Sequence, residues 1–490
     1  MKPALCLAAA LVVLTAPGRA AAPAANDPLA WVENGRRLYS QGDQLAAIDA
    51  ANRALLIDPD NVRALELRAQ MLREQAGWVA ALPLYERALL GDPRDLDLLA
   101  GYAGTLGEAG RVRDMLTVTR RMIEIDAKDP RSWFFQAVLA ARAGKTSLAR
   151  NLIARTGRRL DAMPAASLLR GALELEAGNA NVAATILDPL VQRQPANTTA
   201  QLLLARALYE AGDLRGLIGR FTGAAQRPDA SPYLLAVMGR ALEEAGDRAA
   251  AAPYLDRLAA AKPLPVMPML YQPANDAAGA VRARLLAGDL TGADTQAATL
   301  AERRPGMFEA QALAGDAALA NGKAPIALDR FRKAMLVRFP ERLLLRTTEA
   351  LEQTGQGRST PALVTGYHAA FPGSLLASRL AAGHAALSGD WARSRSDLED
   401  LVARTGTRDG RVMADLALAQ LQTGDAGAAL VSAERAAQLL PNSGFPALAW
   451  GLALSELGEQ PDLARQLLRK VRCIEGDSPR LAEALDRVGN

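Results

Sequence analysis

A regular alternation of glycine and proline constrains this chain more than any other feature of its sequence. Glycine recurs about every 34 residues, and a proline follows about 17 residues after most of these glycines. Glycine ends a helix because it adopts the left-handed conformation easily, and proline begins the next helix because it cannot continue one. Each period therefore predicts two short helices. The glycines are Gly42, Gly110, Gly144, Gly178, Gly212, Gly246, Gly288, Gly322, Gly355, Gly389, Gly424 and Gly458, with Gly77 one residue late for the same register. The prolines are Pro59, Pro93, Pro195, Pro228, Pro263, Pro305, Pro340, Pro372 and Pro441.

A chain with this pattern grows by stacking helix pairs, so its 490 residues need not divide into several separate cores. Hydrophobic residues make up 50% of the sequence and aromatic residues only 4%. This composition favours thin helices that pack at short range and argues against a fold rich in β-sheet. We therefore predict an all-α fold.

Small and aromatic residues also recur at fixed positions within the period. On these residues the chain resembles the tetratricopeptide repeat family, whose period is 34 residues. The resemblance implies a right-handed superhelical solenoid of about 13 helix pairs. It also implies that the first helix of each pair lines a concave binding face. The matching residues are Trp31, Gly35, Leu38, Ala47, Ala54 and Pro59 in the first unit and Ala69, Ala81, Tyr85, Ala88 and Pro93 in the second.

The pattern and its interruptions divide the chain into five segments. Residues 1–22 are interpreted as a signal peptide, because Lys2 precedes a short apolar stretch and small residues follow it, with cleavage after Ala20 or Ala22. An N-terminal membrane anchor is the alternative, and no later segment predicts a transmembrane helix. The other segments are repeats 1–7 over 23–262, a Pro/Met-rich insert or hinge over 263–279, repeats 8–13 over 280–472 and a C-terminal capping helix over 473–490.

The insert is the first of two candidate binding surfaces. Four prolines fall within the eleven residues that begin at Pro263, which excludes a regular helix there. Met267, Met269 and Tyr271 could form a docking loop, because methionine-rich surfaces repack around different partners. The alternative is that they fold back and seal the joint between units seven and eight.

The second candidate surface is a row of arginine and tyrosine residues on the predicted concave face. Arginine occupies the ninth position of four units, and tyrosine lies three positions later in two of them. Such residues suit an acidic peptide, a carboxyl terminus or an anionic polysaccharide. Alternatively, Glu210 and Glu244 neutralise the arginines four residues before them. The row consists of Arg36, Tyr39, Arg206, Tyr209, Arg240 and Arg282.

No residue pattern in this sequence predicts catalysis. His368 and His384 fall in neighbouring units, and neither a zinc-binding motif nor a glycine-rich phosphate loop is present. We expect His368 to be a partly buried helix residue. Cys473, the one cysteine left after signal cleavage, is expected to be buried, with a reactive thiol as the alternative. We predict a non-enzymatic protein without cofactor or metal.

The charge pattern and the signal narrow the class of partner. The net charge is only +4, and the arginines are interspersed with acidic residues, so nucleic acid is not an expected partner. The signal peptide and the resemblance together imply a periplasmic scaffold that binds other proteins. We expect an accessory role in exopolysaccharide export or in envelope and outer-membrane assembly. The alternative is a periplasmic chaperone or regulator that binds client peptides.

The predicted register can be tested by overpacking a helix contact. Ala183 and Ala251 occupy the small-residue position of the second helix in their units. Ala183→Leu or Ala251→Leu should lower the free energy of unfolding by about 1–3 kcal/mol, because the extra methylenes force neighbouring helices apart. Chemical denaturation measures the change. An unchanged midpoint would show that the register is wrong.

Overall fold

The structure is a computed structural model, and it describes residues 26–195, 197–227, 230–259, 277–407, 409–440 and 443–489. These residues form 27 α-helices and one short 3-10 helix, Gly357–Ser359, and they contain no strand. The predicted all-α solenoid of 13 helix pairs is therefore confirmed, while its right-handed sense stays a prediction. The predicted signal peptide lies outside the described residues. So do positions 263–276 of the insert, with Met267, Met269 and Tyr271.

The helices form 13 consecutive pairs, here called units 1 to 13, followed by a closing helix. The first helices are α1 Pro28–Ser40, α3 Val62–Ala76, α5 Leu96–Glu108, α7 Pro130–Arg142, α9 Pro164–Glu176, α11 Thr198–Glu210, α13 Pro232–Glu244, α15 Ala277–Leu286, α17 Phe308–Ala320, α19 Glu341–Gln353, α21 Leu375–Leu387, α23 Gly410–Gln422 and α25 Gly444–Leu457. The second helices are α2 Gln44–Ile57, α4 Trp78–Gly91, α6 Val112–Ile125, α8 Thr146–Ala154, α10 Ala180–Arg193, α12 Leu214–Gln226, α14 Arg248–Ala259, α16 Leu290–Arg303, α18 Ala324–Met335, α20 Thr360–Ala370, α22 Trp391–Thr405, α24 Ala426–Leu439 and α26 Pro461–Glu475. The closing helix is α27, Pro479–Arg487.

A recurrent Gly-Asp step separates the two helices of many units. Gly212 has φ +74°, in the left-handed region, and ends the first helix of its unit. Asp213 follows, and its carboxylate accepts a hydrogen bond from the Gly216 amide at 2.9 Å, which caps the second helix. The same step occurs at Gly42-Asp43 and four later breaks. The glycine and the aspartate together explain why these six units turn where they do.

Small side chains allow the two helices of a unit to approach closely. A Cβ atom added to Gly171 would lie 2.6 Å from Leu187, and one added to Gly315 would lie 2.3 Å from Phe331. In both units a large side chain of the second helix fills the space that glycine leaves on the first. Ala183 and Ala251 are almost fully buried in the same way. The core of the solenoid is this repeated contact.

The C-terminal end is closed by α27. Ser478 caps this helix by accepting a hydrogen bond from the Leu481 amide at 3.3 Å, and Leu481 and Leu485 are buried against the last pair. The prediction that Cys473 is buried is wrong, because its thiol is exposed on α26. A strongly amphipathic helix has a polar face, and Cys473 lies on it. The prediction that His368 is partly buried is confirmed.

A second set of contacts joins distant parts of the chain. The Leu45 amide donates to the Gly306 carbonyl at 3.1 Å, and the Gln44 side chain accepts from the Phe308 amide at 3.0 Å. One unit later, the Gln75 side chain donates to the Leu336 carbonyl at 2.9 Å. The partners are 261 to 264 residues apart, which is about eight units. We call this contact the seam; in it, units 1–3 touch the loops that precede units 9–11.

Aromatic side chains and a tight backbone contact continue the seam. Trp78 of unit 2 packs edge-on against Phe371, with ring centroids 6.1 Å apart, and Phe371 stacks on Tyr367 at 4.5 Å. Gly77 is packed so closely that an added Cβ would lie 2.2 Å from the Ala370 carbonyl oxygen. The chain therefore returns on itself after about eight units.

An engineered disulfide can test the seam in solution. A Cβ atom placed on Gly306 would lie 3.2 Å from the Leu45 Cβ, close to the separation of about 3.5–4.5 Å that a disulfide needs. With Cys6 and Cys473 replaced by serine, the pair Leu45→Cys and Gly306→Cys should crosslink on mild oxidation. A shift in mobility on non-reducing gels, reversed by reductant, measures the bond. Failure to crosslink would contradict the seam.

Two glycine substitutions provide the matched comparison for that experiment. Gly77 (φ +98°, ψ 169°) and Gly406 (φ +73°, ψ −174°) have similar backbone angles, so alanine at either position is strained. An added Cβ meets the Ala370 carbonyl at Gly77 and nothing within 4 Å at Gly406. In the two-cysteine protein, Gly77→Ala should slow disulfide formation and Gly406→Ala should not. Equal rates would show that Gly77 does not contribute to the seam.

Candidate functional site

The first helices of neighbouring units lie on the inside of the stack. Successive first helices, such as α9 and α11 or α11 and α13, contact one another more closely than successive second helices do. The concave side of a curved stack is the side where successive elements come closest. The first helices therefore line the concave face, as the resemblance implies.

A groove of about 560 Å³ opens on this face between α11 and α13. Thr199, Leu202, Leu203 and Arg206 of α11 form one wall, and Tyr233 in the first turn of α13 forms the other. The two leucines are half-buried, while the Tyr233 side chain remains 44% exposed. The groove thus has an aliphatic floor and an aromatic wall, with a guanidinium at one end.

The arginines beside the groove have different partners. The Arg206 guanidinium donates to Glu210 at 2.7 Å and lies 3.8 Å from Glu176, so acidic groups neutralise it. Arg240 is exposed and forms no hydrogen bond or ion pair within the described part of the chain. The predicted pairing of Arg206 with Glu210 is therefore confirmed, whereas Arg240 and Glu244 do not pair. The Arg240 guanidinium is available to a ligand.

Two tyrosines flank Arg240. The Tyr209 hydroxyl donates a hydrogen bond to the Glu244 carboxylate. This hydrogen bond, and then burial, raise the pKa of Tyr209, and Arg240 opposes the change. Burial raises the pKa of Tyr233, and Arg206 and Arg240 oppose it. Both hydroxyls therefore stay protonated at neutral pH and can donate hydrogen bonds.

The structure brings together only part of the predicted row. Arg206 lines the groove, whereas Tyr209, further along α11, and Arg240, further along α13, lie outside its lining. Arg36 lies in unit 1, 3.7 Å from Glu66, and Tyr39 lies in the seam, where it donates to Glu74 at 2.6 Å. The guanidinium nitrogens of Arg282 are buried in unit 8, so this charge does not face the groove.

Tyr233 was missed by the analysis of the sequence. It falls outside the two positions at which arginine and tyrosine recur, since it follows the proline that begins α13. The signal that could have found it is its place in the first turn of a first helix. First helices line the concave face, so an aromatic residue in the first turn of one of them is a candidate for that face.

Neither a cluster of metal ligands nor an activated serine beside His368 is found in the described residues. No three His, Cys, Asp or Glu side chains in the described ranges converge as metal ligands. Burial lowers the pKa of His368, whose Nδ1 lies 3.5 Å from the Ser378 hydroxyl. That hydroxyl already donates to the Ser374 carbonyl and accepts from Arg404, so it is not an activated nucleophile. Across the described helices, none combines the length and the apolar character of a membrane span.

Comparison with known proteins identifies the repeat. Residues 168–226, which span units 5 and 6 and include Arg206 and Tyr209, match the tetratricopeptide repeat family. No curated protein matches the sequence.

Solved structures resemble the chain in fold. The APC/C hetero-tetramer Cut9–Hcn1 shares 13% identity over 94% of this chain and 96% of that chain, with a TM-score of 0.36. A tetratricopeptide repeat protein from Parabacteroides merdae shares 16% identity over 48% of this chain and 92% of that chain, with a TM-score of 0.34. YrrB, a tetratricopeptide repeat protein with an unusual peptide-binding site, shares 19% identity over 36% of this chain and 90% of that chain, with a TM-score of 0.28. Likeness at this level carries no argument about ligands.

The hydrogen bond between Tyr209 and Glu244 can be tested by titrating the Tyr209 hydroxyl. Because the Glu244 carboxylate disfavours a negative phenolate beside it, Glu244→Gln should lower the pKa of Tyr209 toward the ordinary tyrosine value of about 10. The pKa can be followed by NMR of ring-labelled tyrosine, with Tyr209→Phe used for assignment. Glu108→Gln, at the same position of unit 3, should leave the Tyr209 pKa unchanged. An unshifted resonance in Glu244→Gln would contradict the hydrogen bond.

Proposed function

We propose that this tetratricopeptide repeat chain is a non-enzymatic scaffold that binds an extended segment of another protein in the groove between α11 and α13. The observation that carries this proposal is the combination of an aliphatic floor and an exposed tyrosine in the groove with an exposed arginine without a partner, Arg240, on the same helix as the tyrosine. Apolar burial supplies affinity in such a groove, and a few placed polar groups supply orientation.

The individual contacts fit a polypeptide. Leu202 and Leu203 offer apolar surface to a side chain of the ligand, and the Tyr233 ring adds a large contact area at a low cost in conformational entropy. Arg240 can form two parallel hydrogen bonds to a carboxylate, from an acidic side chain or a peptide terminus. Because the helices on both sides pack into a continuous stack, the groove exists before the ligand arrives, which favours binding.

The charges around the groove favour a protein ligand over an anionic polysaccharide. Glu176 and Glu210 both lie against Arg206, the guanidinium that lines the groove, and Glu243 and Glu244 lie further along α13. A regular polyanion would meet repulsion from most of these carboxylates, whereas a peptide can place a single carboxylate on Arg240.

We place this activity in the bacterial periplasm, on the basis of the signal peptide predicted for residues 1–22. An accessory role in exopolysaccharide export or in envelope and outer-membrane assembly follows from that location and from a scaffold fold. The groove also supports a second function, capture of client peptides by a chaperone, because its aliphatic floor can accept many apolar side chains.

The first experiment is a crosslinking pull-down of the mature protein from the native envelope fraction, read by mass spectrometry. Each recovered partner is then titrated against purified protein. Tyr233→Ala should weaken binding about tenfold, since it removes the aromatic wall of the groove, and Arg240→Ala should weaken it to a similar extent, since it removes the proposed carboxylate contact beside the groove. Both side chains are exposed, so thermal stability should stay unchanged.

The matched control is Leu56→Ala, which shortens an exposed side chain on the second helix of unit 1 and should leave binding intact. Recovery of export or assembly components would support the scaffold. A broad set of unfolded secreted proteins would instead identify a chaperone. A partner whose affinity is the same for Tyr233→Ala, Arg240→Ala and wild type would contradict the groove as the binding site.

A further inference from the structure

The same contact between a tyrosine and a glutamate occurs twice on the first helices. The Tyr39 hydroxyl donates to Glu74 of the next unit, and the Tyr209 hydroxyl donates to Glu244 of the next unit. The partners are 35 residues apart in both cases. Tyr39 and Tyr209 occupy the same position of units 1 and 6, so the two pairs are copies of one arrangement.

The first copy is filled by a guanidinium from elsewhere in the chain. Arg338, in the loop between α18 and α19, places its Nε 2.6 Å from the Glu74 carboxylate and donates through a terminal nitrogen to the Tyr39 hydroxyl. The guanidinium carbon also lies 5.4 Å from the centre of the Tyr39 ring. Carboxylate, hydroxyl and ring face together form a receptor for an arginine side chain.

The second copy has no such occupant in the described structure. Glu244 is exposed and accepts a hydrogen bond from Tyr209 alone. The glutamates at the same position of other units each meet a guanidinium. Glu108 lies 3.3 Å from Arg142, Glu176 lies 3.8 Å from Arg206, and Glu210 lies 2.7 Å from Arg206.

The charge around the second copy also favours a cation. Unit 7 has Glu243 at the position that Arg73 occupies in unit 2. The Arg73 guanidinium lies over the Trp78 ring, 4.9 Å from its centre. Arg240 occupies the position that Gln70 has in unit 2. Its positive charge weakens the attraction of the site for a cation, but it does not pair with Glu244. Glu243 and Glu244 together outweigh Arg240, so an incoming guanidinium meets a net negative site.

We propose that the Tyr209–Glu244 pair binds an arginine side chain of the partner polypeptide whose adjoining residues lie in the groove. The inference rests on the proposed function, since the groove places the partner next to this pair: Arg206, in the groove wall, is less than one helical turn from Tyr209. Arginine fits better than lysine because a planar guanidinium can contact the carboxylate and the hydroxyl while it stacks on the ring.

The chain itself provides the probe for a test. A fluorescein-labelled peptide of residues 335–341, Met-Leu-Val-Arg-Phe-Pro-Glu, carries the arginine that fills the first copy. The full chain holds Arg338 in that copy intramolecularly, at an effective concentration of order millimolar, so the peptide should bind at the second copy. The same peptide with citrulline, which is isosteric and uncharged, and with lysine completes the set.

Fluorescence anisotropy should show binding of the arginine peptide and at least about tenfold weaker binding of the citrulline peptide. The lysine peptide should bind with intermediate affinity. On the protein side, Glu244→Gln should weaken the arginine peptide at least about tenfold and Tyr209→Phe severalfold. Glu108→Gln removes a glutamate from the same position of unit 3, where Arg142 already pairs with it, and should have no effect.

Equal affinity for the arginine and citrulline peptides, or binding that is unchanged in Glu244→Gln, would overturn the proposal. Sedimentation equilibrium tests the other source of arginine, a second copy of the chain: self-association that is lost in Glu244→Gln would overturn the assignment to a partner protein. A result that rejects the arginine site can be distinguished from one that rejects the groove as the binding site. A partner that depends on Tyr233 but not on Glu244 would retain the proposed function and reject the arginine site.

Discussion

The close approach of two helices within each unit is the contact on which the rest of this structure depends. Glycine or alanine on one helix leaves room for a leucine or phenylalanine on the other, as Gly171 does for Leu187. A methyl group at the glycine would separate the helices, and successive units would then stack at a different angle. The concave face, its groove and the return of the chain at the seam all follow from the repetition of this angle.

Local features of the sequence predicted the local features of the structure. The Gly-Asp steps mark the turns and caps, and the small-residue positions identify the buried helix faces, because both depend on neighbouring residues. The seam was not predicted, because its partners are 261 to 264 residues apart and their meeting depends on a small rotation summed over eight units. Cys473 was misplaced for a related reason: its burial depends on which face of α26 the next helix covers.

The candidate site was predicted in the same partial way. Arg206, Tyr209 and Arg240 were found from their spacing, because residues one or two periods apart on first helices share a face. Their electrostatic roles were not predictable from spacing. Arg206 is neutralised by two carboxylates, while Arg240 has no partner in the described structure and Glu244 accepts a hydrogen bond from Tyr209.

The seam changes how a solenoid of this kind completes its fold. In an open solenoid each unit contacts only its neighbours, so the first units can finish folding as soon as they are made. Here the edge of units 1–3 acquires its partners only when the loops before units 9–11 have been synthesised, Gly306 being the first and Phe371 among the last. During translation, the N-terminal units therefore lack their seam partners until most of the chain has been made. Over this period the Trp78 ring has no contact with Phe371. At that stage, when unpaired apolar surface favours misassembly, an early-folded repeat would be open to a chaperone or to a neighbouring chain.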